Sequence, residues 1–528
     1  MKKTVSIAVA SGVAACLLLC FPDPANAGYL DPGSGSAGGD CVRRRRQALL
    51  EPAYRTVQRY KGKEVLMKHN SASFRDPCGA VHEDDVAVYR TVAPRHAEEW
   101  AALRRCGLLA GMRGLIGFEE LPPEQWPAGY PENTALLLRS QRLPFISYPY
   151  EWCFSQLREA ALLTLDLQEK ALEHGCTLKD ASAYNVQFFQ GKAIFIDLLS
   201  FERWKEGQPW QAYGQFCRHF LAPLALMTRT DVRCGLLSRQ WIDGIPLDLA
   251  SSLLPARTKL SPGLYMHIHL HASMQRKHAD GRKAAEKVRR LRMDKTRMTD
   301  VVRSLRDTIQ NLDPPSRMTE WGDYYDDTNY TPAARSAKED IVRAAAAARP
   351  GKLAVDLGAN RGEFSRLLAP HFALVLATDV DHTAVDSFWR TPPPPNVLPL
   401  LLDMASPSPS LGWRCGERLS FFARCHADLV CGLALCHHLR FTCGVPLPEI
   451  ALAFADLCAE HGAALVEFVP RGDSQVERLL AGRDDVFEDY TEDHFREAFA
   501  QAGFTLEKRW NLPESERSLY LFTKEVSR

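Results

Sequence analysis

Short apolar runs alternate with helix-like stretches through the C-terminal part of the chain. Runs of strand length lie at residues 352–356, 373–378, 397–402, 428–435 and 463–469, and helical spacing covers residues 363–368 and 449–460. Short apolar strands that alternate with helices are typical of a parallel, doubly wound sheet. In such a sheet ligands bind outside the carboxyl ends of the strands, so we expect the functional residues directly after each run.

The first residues of the chain show a different pattern, an apolar run of nearly membrane-spanning length. Lys2 and Lys3 precede the run over residues 5–21, and the small residues 25–27 (ANA) offer a cleavage site. This order predicts a secretory signal peptide over residues 1–27. An uncleaved membrane anchor is the alternative, because the run is about long enough to cross a bilayer. The four arginines at residues 43–46 favour an anchor whose C-terminal side stays in the cytoplasm.

Composition narrows the class of protein. The chain has 528 residues, and 65 Lys and Arg against 64 Asp and Glu give a formal net charge of +1. An apolar fraction of 46% and a charged fraction of 24% exclude a mostly disordered chain and a polytopic membrane protein. A neutral chain also argues against nucleic-acid binding through bulk charge, so we expect no nucleic-acid partner. The 15 cysteines include no CxxC pair and favour free thiols in a reducing compartment.

A basic segment divides the chain into two domains. Mixed sequence runs over residues 41–271 without an obvious break, and lysine and arginine then crowd residues 277–297. Charge runs of this kind are usually solvated, so the pattern predicts a basic helical linker over residues 272–315 that ends at Pro314 and Pro315. The second domain then covers residues 316–528.

The first apolar run of the second domain leads directly into a glycine-containing turn. Residues 356–362 (DLGANRG) follow the strand and open a helix. Gly358 and Gly362 allow a tight turn and a close approach of the backbone to a ligand. The GxGxxG fingerprint of dinucleotide-binding domains is absent, and Asp356 precedes the glycines. A carboxylate at this position suits a cationic ligand better than a pyrophosphate.

Acidic residues also follow the next two strands. Asp379 ends the second strand about 20 residues past the glycine turn, the expected spacing for a ribose-binding acid. Asp403 ends the third strand, where it can accept a hydrogen bond from an exocyclic adenine amine. A single acid at a strand end is as readily a helix cap. Three acids in register with one glycine turn indicate a ligand site.

Residues 321–524 resemble class I S-adenosylmethionine-dependent methyltransferases on these motifs. The resemblance implies a Rossmann-like methyltransferase domain with S-adenosyl-L-methionine (SAM) as cosubstrate, bound by Asp356, Gly358, Asn360, Gly362, Asp379 and Asp403. The sequence departs from the family pattern at Asn360, where glycine is more common. We expect this departure to change the turn without removing the site.

The reaction implied by the resemblance is an in-line displacement of the sulfonium methyl group, in which the protein mainly positions the reactants. A general base is needed only if the acceptor must lose a proton. His437 and His438 after the fourth strand, and Glu467 in the fifth, are the candidates. No Asn-Pro-Pro-Tyr motif for methylating an exocyclic base amine is present. A small-molecule or saccharide acceptor, methylated on oxygen or carbon, is therefore expected.

One segment of the first domain has the spacing of a protein-kinase catalytic loop. Asp180 precedes Asn185 by five residues, and an apolar strand then ends in Asp197. This part resembles kinase-like small-molecule phosphotransferases, which implies an α+β domain and Mg-ATP as a ligand. The pattern departs from the family, since no glycine-rich loop precedes Lys61, Lys63 or Lys68. A polar turn, or a degenerate kinase fold used only for binding, is the alternative.

The fold class expected for the whole chain is thus a doubly wound α/β methyltransferase domain preceded by an α+β kinase-like domain. This layout resembles that of bacterial nodulation-related methyltransferases. One hypothesis is a methyltransferase whose first domain binds or presents the acceptor. The other is a bifunctional enzyme or phosphotransferase with a regulatory SAM-binding domain. The two implied ligands, SAM and Mg-ATP, are cytoplasmic metabolites. We therefore expect residues 5–21 to attach the protein to the cytoplasmic side of a membrane, with export after cleavage as the alternative.

Overall fold

The computed structural model of the chain describes residues 56–60, 63–110, 112–127, 130–277, 293–314, 330–481 and 487–525. The expected signal peptide or anchor over residues 1–27 lies outside this set. Within it, no helix is both long enough and apolar enough to cross a membrane.

The first domain opens with an antiparallel sheet and continues as a mainly helical part. Its strands are β1 (Thr56–Tyr60), β2 (Lys63–His69), β3 (Val81–Glu83), β4 (Ala87–Val92), β5 (Phe118–Leu121), β6 (Leu136–Gln141), β7 (Cys176–Leu178), β8 (Val186–Phe189), β9 (Lys192–Phe195) and β10 (Phe201–Arg203). The first six form one sheet in the order β1-β2-β3-β4-β6-β5, while β7 pairs with β10 and β8 pairs with β9.

Helices of the first domain follow or interrupt these strands. They are α1 (Pro94–Arg105), α2 (Phe154–Glu173), α3 (Tyr213–Phe216), α4 (Ala222–Arg229), α5 (Leu237–Gln240), α6 (Leu247–Leu253), α7 (Pro262–Leu264), α8 (His271–Lys277) and α9 (Lys295–Gln310). The domain therefore has the α+β character predicted for it, whereas a kinase-like relationship stays a prediction.

The described part of the expected basic linker over residues 272–315 is helical, as predicted, but one of its faces is buried instead of solvated. Helix α9 is basic at its start, yet Met298, Val301, Leu305 and Ile309 are buried on one face. That face packs against α2, the 20-residue helix at the centre of the domain. The apolar residues recur at helical spacing, so burial of this stripe outweighs the charge of the opposite face. Helix α9 thus belongs to the first domain.

The second domain is built on a seven-stranded sheet. Its strands are β11 (Gly351–Leu357), β12 (Phe372–Asp379), β13 (Val397–Leu401), β14 (Ala427–Gly432), β15 (Cys458–Phe468), β16 (Phe504–Asn511) and β17 (Ser518–Lys524). They follow the order β13-β12-β11-β14-β15-β17-β16. Strands β11 to β15 are parallel, and β17 runs antiparallel to both of its neighbours.

Helices cover both faces of this sheet. They are α10 (Pro332–Ala348), α11 (Glu363–Leu368), α12 (His382–Arg390), α13 (Phe421–Arg424), α14 (Cys436–Phe441), α15 (Leu447–Leu457), α16 (Ser474–Leu480) and α17 (Glu492–Gln501). Ala354 of β11 shares a core with Val342 of α10, whereas its neighbour Val355 shares another with Phe454 of α15. Alternate strand residues point to opposite faces, so a sheet buried on both sides needs the continuous apolar runs seen in the sequence. The predicted doubly wound α/β domain is confirmed.

The two domains meet in a buried interface. Glu151, just before α2, forms an ion pair with Arg424 of α13, and the two side chains are only 1% and 6% exposed. The guanidinium also lies 4.3 Å from the ring centroid of Tyr148. The start of α2 adds a hydrogen bond of 2.7 Å from the Ser155 amide to the Asp386 carboxylate of α12. Charged groups buried in this way require their partners, so the interface is specific.

Replacing Glu151 by glutamine is expected to lower the free energy of unfolding by about 1.5–3 kcal/mol, the usual contribution of a hydrogen bond to a charged group. The substitution keeps the shape of the side chain and leaves Arg424 without its counter-charge. Urea unfolding followed by tryptophan fluorescence measures the change. Glu173→Gln is the matched control, since Glu173 pairs with Lys170 on the surface of α2. Equal stability of the two variants would contradict the expectation.

Candidate active site

The glycine turn adopts the left-handed backbone that its sequence suggested. Gly358, Asn360 and Gly362 have φ angles of 74°, 49° and 75°. Asparagine tolerates this region better than most residues, which explains why the departure from glycine at Asn360 leaves the turn intact. The amide of Gly358 donates to the Thr378 carbonyl at 2.8 Å and fastens the turn to β12.

The two glycines of the turn serve different purposes. A Cβ atom on Gly362 would lie 1.9 Å from a ring carbon of Phe388, so packing against α12 requires glycine there. A Cβ atom on Gly358 would meet only the side chain of Leu435, at 3.7 Å. The space beside Gly358 is therefore open to a ligand, and its left-handed backbone is what favours glycine.

Asp379 is held rigidly at the end of β12. Its Oδ2 accepts the amide of Asn360 and its Oδ1 accepts the amide of Asp381, both at 2.8 Å. Burial raises the pKa of this carboxyl group to about 6, although the backbone hydrogen bonds oppose the shift. Each carboxylate oxygen has a further lone pair, so the group can still accept hydrogen bonds from a ligand. Next to it, Oδ2 of the buried Asp381 has no hydrogen-bond partner among the described residues.

The other two predicted acids lie at the same edge with different surroundings. Asp356 is buried within β11, where its carboxylate accepts the Ser365 hydroxyl at 2.6 Å and so supports helix α11. Burial raises its pKa to about 6. Asp403 is exposed just after β13 and accepts the Ala405 amide at 2.8 Å. The amide of Leu402 donates to the Asp379 carbonyl at 2.9 Å, which places Asp403 beside the Asp379 strand end.

Glu467 lies in a buried charged cluster that sequence reasoning did not predict. Its carboxylate accepts hydrogen bonds from Lys338 of α10 at 2.7 Å and from the Tyr330 hydroxyl at 2.5 Å. Arg517 lies 3.9 Å away and forms a two-bond ion pair with Asp473. Lys338, Glu467 and Arg517 are all buried. Lysine and arginine usually lie on the surface, so nothing in the sequence pattern marked these two as internal.

The predicted histidine pair follows β14 at the start of α14. The His437 and His438 rings lie 4.1 Å apart, and His437 is completely buried. Neither ring nitrogen of His437 has a hydrogen-bond partner among the described residues. Burial, the His438 ring and the nearby Arg517 and Lys338 charges lower its pKa well below the usual value. Burial also lowers the pKa of His438, to about 4, so both rings are neutral at pH 7.

The kinase-like residues of the first domain converge in a second cluster. Asp180 lies in the loop after β7, and burial together with the charge of Asp197 raises its pKa. Asp197 Oδ2 accepts the Ser200 hydroxyl at 2.6 Å, and Asn185 donates to that same hydroxyl at 3.2 Å. The other Asp197 oxygen accepts Nη2 of Arg90 on β4, at 2.5 Å. Both oxygens thus have a donor, and Arg90 supplies at Asp197 the positive counter-charge that a magnesium ion would otherwise provide.

Metal binding has no support elsewhere in the described residues. They contain no group of three or more His, Cys, Asp or Glu side chains that could hold a metal ion. His267 lies in the helical segment Tyr265–Leu270 of the first domain. Its two nitrogens contact the Tyr213 and Ser304 hydroxyls at 2.7 and 2.9 Å, a structural role.

Comparison with known proteins gives one extensive match. The chain is 35% identical over 462 residues to nodulation protein NoeA of Rhizobium meliloti (strain 1021), which covers 86% of this chain and 96% of that protein. No protein-family model matches.

Solved structures match the chain only in part. The N-methyltransferase NodS from Bradyrhizobium japonicum WM9 is 13% identical and covers 37% of this chain and 98% of its own, at a TM-score of 0.28. Magnesium protoporphyrin IX methyltransferase (ChlM) from Synechocystis PCC 6803 with bound SAH is 18% identical and covers 38% of this chain and 90% of its own, also at 0.28.

Proposed function

This chain belongs to the family of the nodulation protein NoeA, and we propose that its second domain is a SAM-dependent methyltransferase. One observation carries the proposal. The left-handed turn at Gly358 stands beside the fixed carboxylate of Asp379, at the carboxyl edge of a doubly wound sheet. Ligands of such sheets bind at that edge.

The residues present fit this cosubstrate. The open side of Gly358 lets the ligand approach the backbone, and Asp379 offers carboxylate oxygens to a pair of ribose hydroxyls. Asp403, exposed at the next strand end, is placed to accept an adenine amine. SAM, when bound, supplies a methyl group on a positively charged sulfur. Gly358, Asp379 and Asp403 would bind and orient it.

The proposed acceptor is a small molecule or saccharide whose nucleophilic atom loses a proton during transfer. His438 is the better placed of the two histidines to take that proton, because its side chain is half-buried whereas that of His437 is completely buried. His437 packs behind it. Glu467 is already engaged with Lys338 and Tyr330, so we assign it to holding the site together instead of to proton transfer.

SAM affinity is expected to fall as the pH drops through about 6, the pKa of the Asp379 carboxyl group. Protonation removes the negative charge that the ribose hydroxyls need, so binding one unit below this pKa is expected to be about tenfold weaker. Isothermal titration calorimetry with SAM over a pH range that brackets this value measures the profile. Asp379→Asn is the control, because an amide does not titrate and its profile is expected to be flatter. A wild-type affinity that does not change across the range would contradict the assignment.

For the first domain we propose that it binds or presents the acceptor. The ion pair of Asp197 with Arg90, which places a fixed positive charge on this carboxylate, supports binding over metal-dependent phosphotransfer. A kinase-like phosphotransferase with a regulatory second domain is the other candidate, favoured by the convergence of Asp180, Asn185 and Asp197. Calorimetry with Mg-ATP and with SAM separates the two. Binding of Mg-ATP that is lost in Asp197→Ala, without any binding of SAM, would favour the phosphotransferase.

A further inference from the structure

The loop that follows β13 runs from the candidate SAM site to the first domain. We name residues 403–418 the bridging segment. It begins at Asp403 beside the Asp379 strand end, and near its far end Leu411 and Arg418 form a short antiparallel bridge.

Two arginines of the first domain hold this segment. Arg239 of α5 donates from Nη1 to the Ser406 carbonyl at 3.3 Å and from Nη2 to the Pro407 carbonyl at 3.1 Å. Arg75 donates from Nε and Nη2 to the buried carboxylate of Glu417, at 2.9 and 2.7 Å. The first domain thus fixes the bridging segment close to Asp403 and again at its far end.

The backbone of the bridging segment depends on such contacts. Gly412, Arg414 and Cys415 have φ angles of 81°, 55° and 54°, and two of these residues carry side chains that disfavour the left-handed region. Such conformations persist only where the surrounding structure holds them. The Glu417 carboxylate also accepts the Trp413 amide at 2.9 Å, so the Arg75 ion pair and the strained turn share one anchor.

The first domain also reaches the ribose side of the same site. Asp231 and Arg233, which precede α5, are close enough for their charges to act on His382, the first residue of α12. His382 follows Asp381 directly after the Asp379 strand end. Residues 231–240 therefore contact the bridging segment and also place charges near the start of α12.

We propose that Arg239 and Arg75 are positioning residues of the SAM site, which is complete only when the first domain holds the bridging segment. This inference rests on the proposed methyltransferase function. It assigns the first domain a part in cosubstrate binding in addition to any part in acceptor binding. The arginines act through the segment and do not touch the ligand.

Hydrogen exchange and SAM calorimetry on the full chain test the proposal together. In Arg239→Ala and Arg75→Ala, the amides of the bridging segment are expected to exchange faster without ligand, while those of β14 keep their wild-type rates. SAM binding is expected to weaken about threefold to tenfold, the usual effect of losing one or two hydrogen bonds. Arg239→Lys is expected to bind SAM with an affinity between those of the wild type and Arg239→Ala, because an ammonium group lacks the planar fork that reaches both carbonyls.

Arg303→Ala is the matched control, since Arg303 pairs with Glu169 inside the first domain. It should leave both the exchange rates and the SAM affinity unchanged. Wild-type SAM affinity in Arg239→Ala and Arg75→Ala would overturn the inference and leave the proposed function standing. A wild-type chain that does not bind SAM would overturn both.

Discussion

Replacing Asp379 by alanine is expected to weaken SAM binding by roughly 100-fold. Asp379 can accept from two ribose hydroxyls, and a hydrogen bond to a charged group contributes about 1.5–3 kcal/mol. The carboxylate also fixes the amides of Asn360 and Asp381, so its loss loosens the glycine turn on one side and α12 on the other. Calorimetry of the purified full chain measures the dissociation constant directly.

Two further variants separate recognition from folding. Asp379→Asn keeps one acceptor oxygen and is expected to bind SAM more tightly than Asp379→Ala does, although more weakly than the wild type. Asp340→Ala removes an exposed acid of α10 in the same domain and should bind like the wild type. Thermal unfolding of each variant shows whether the domain remains folded. A folded Asp379→Ala variant with wild-type affinity would remove the central support for the proposed function.

The strand-end residues could be predicted from the sequence because a sheet that is buried on both faces requires a recognisable apolar pattern in its strands. Each parallel strand appears as a continuous apolar run, and the residue after it must lie at one edge of the sheet. Asp379 at the end of β12 and Asp403 just after β13 were found in this way. The departure at Asn360 is explained by its left-handed backbone, which no apolar pattern shows.

Contacts between distant parts of the chain left no such mark. Lys338 lies 129 residues from Glu467, and Arg239 lies 168 residues from the carbonyl of Pro407. Charged residues on a helix or loop usually face solvent, so their burial depends on which surface the fold brings against them. The burial of α9 was missed for the same reason, because its charged residues drew attention away from the apolar stripe that packs against α2. The local sequence pattern predicted which residues lie at the sheet edge, whereas the contacts that distant residues make around that edge are visible only in the folded structure.

Replacing Lys338 by methionine is expected to lower the free energy of unfolding by about 3–5 kcal/mol, because the buried Glu467 carboxylate loses its hydrogen-bonded counter-ion and keeps only Arg517, 3.9 Å away. The side chains of Lys338 and Glu467 are 3% and 0% exposed, so water cannot replace the lost partner. Urea unfolding measures the change. Arg343→Met on the same helix is the matched control, since its ion pairs with Glu339 and Asp340 are on the surface. Surface pairs contribute about 0–1 kcal/mol.

The double variant Lys338→Met/Glu467→Gln tests what the buried pair is for. If Glu467 holds the site together, removing its charge relieves the penalty, and the double variant is expected to be more stable than Lys338→Met alone. Tyr330 would still have an acceptor in the glutamine amide, which preserves the 2.5 Å contact seen in the native chain. If the double variant loses as much free energy of unfolding as Lys338→Met and Glu467→Gln lose together, the two groups are uncoupled. Glu467 would then be a buried carboxylate maintained without Lys338, and its candidacy as the general base would be stronger than that of His438.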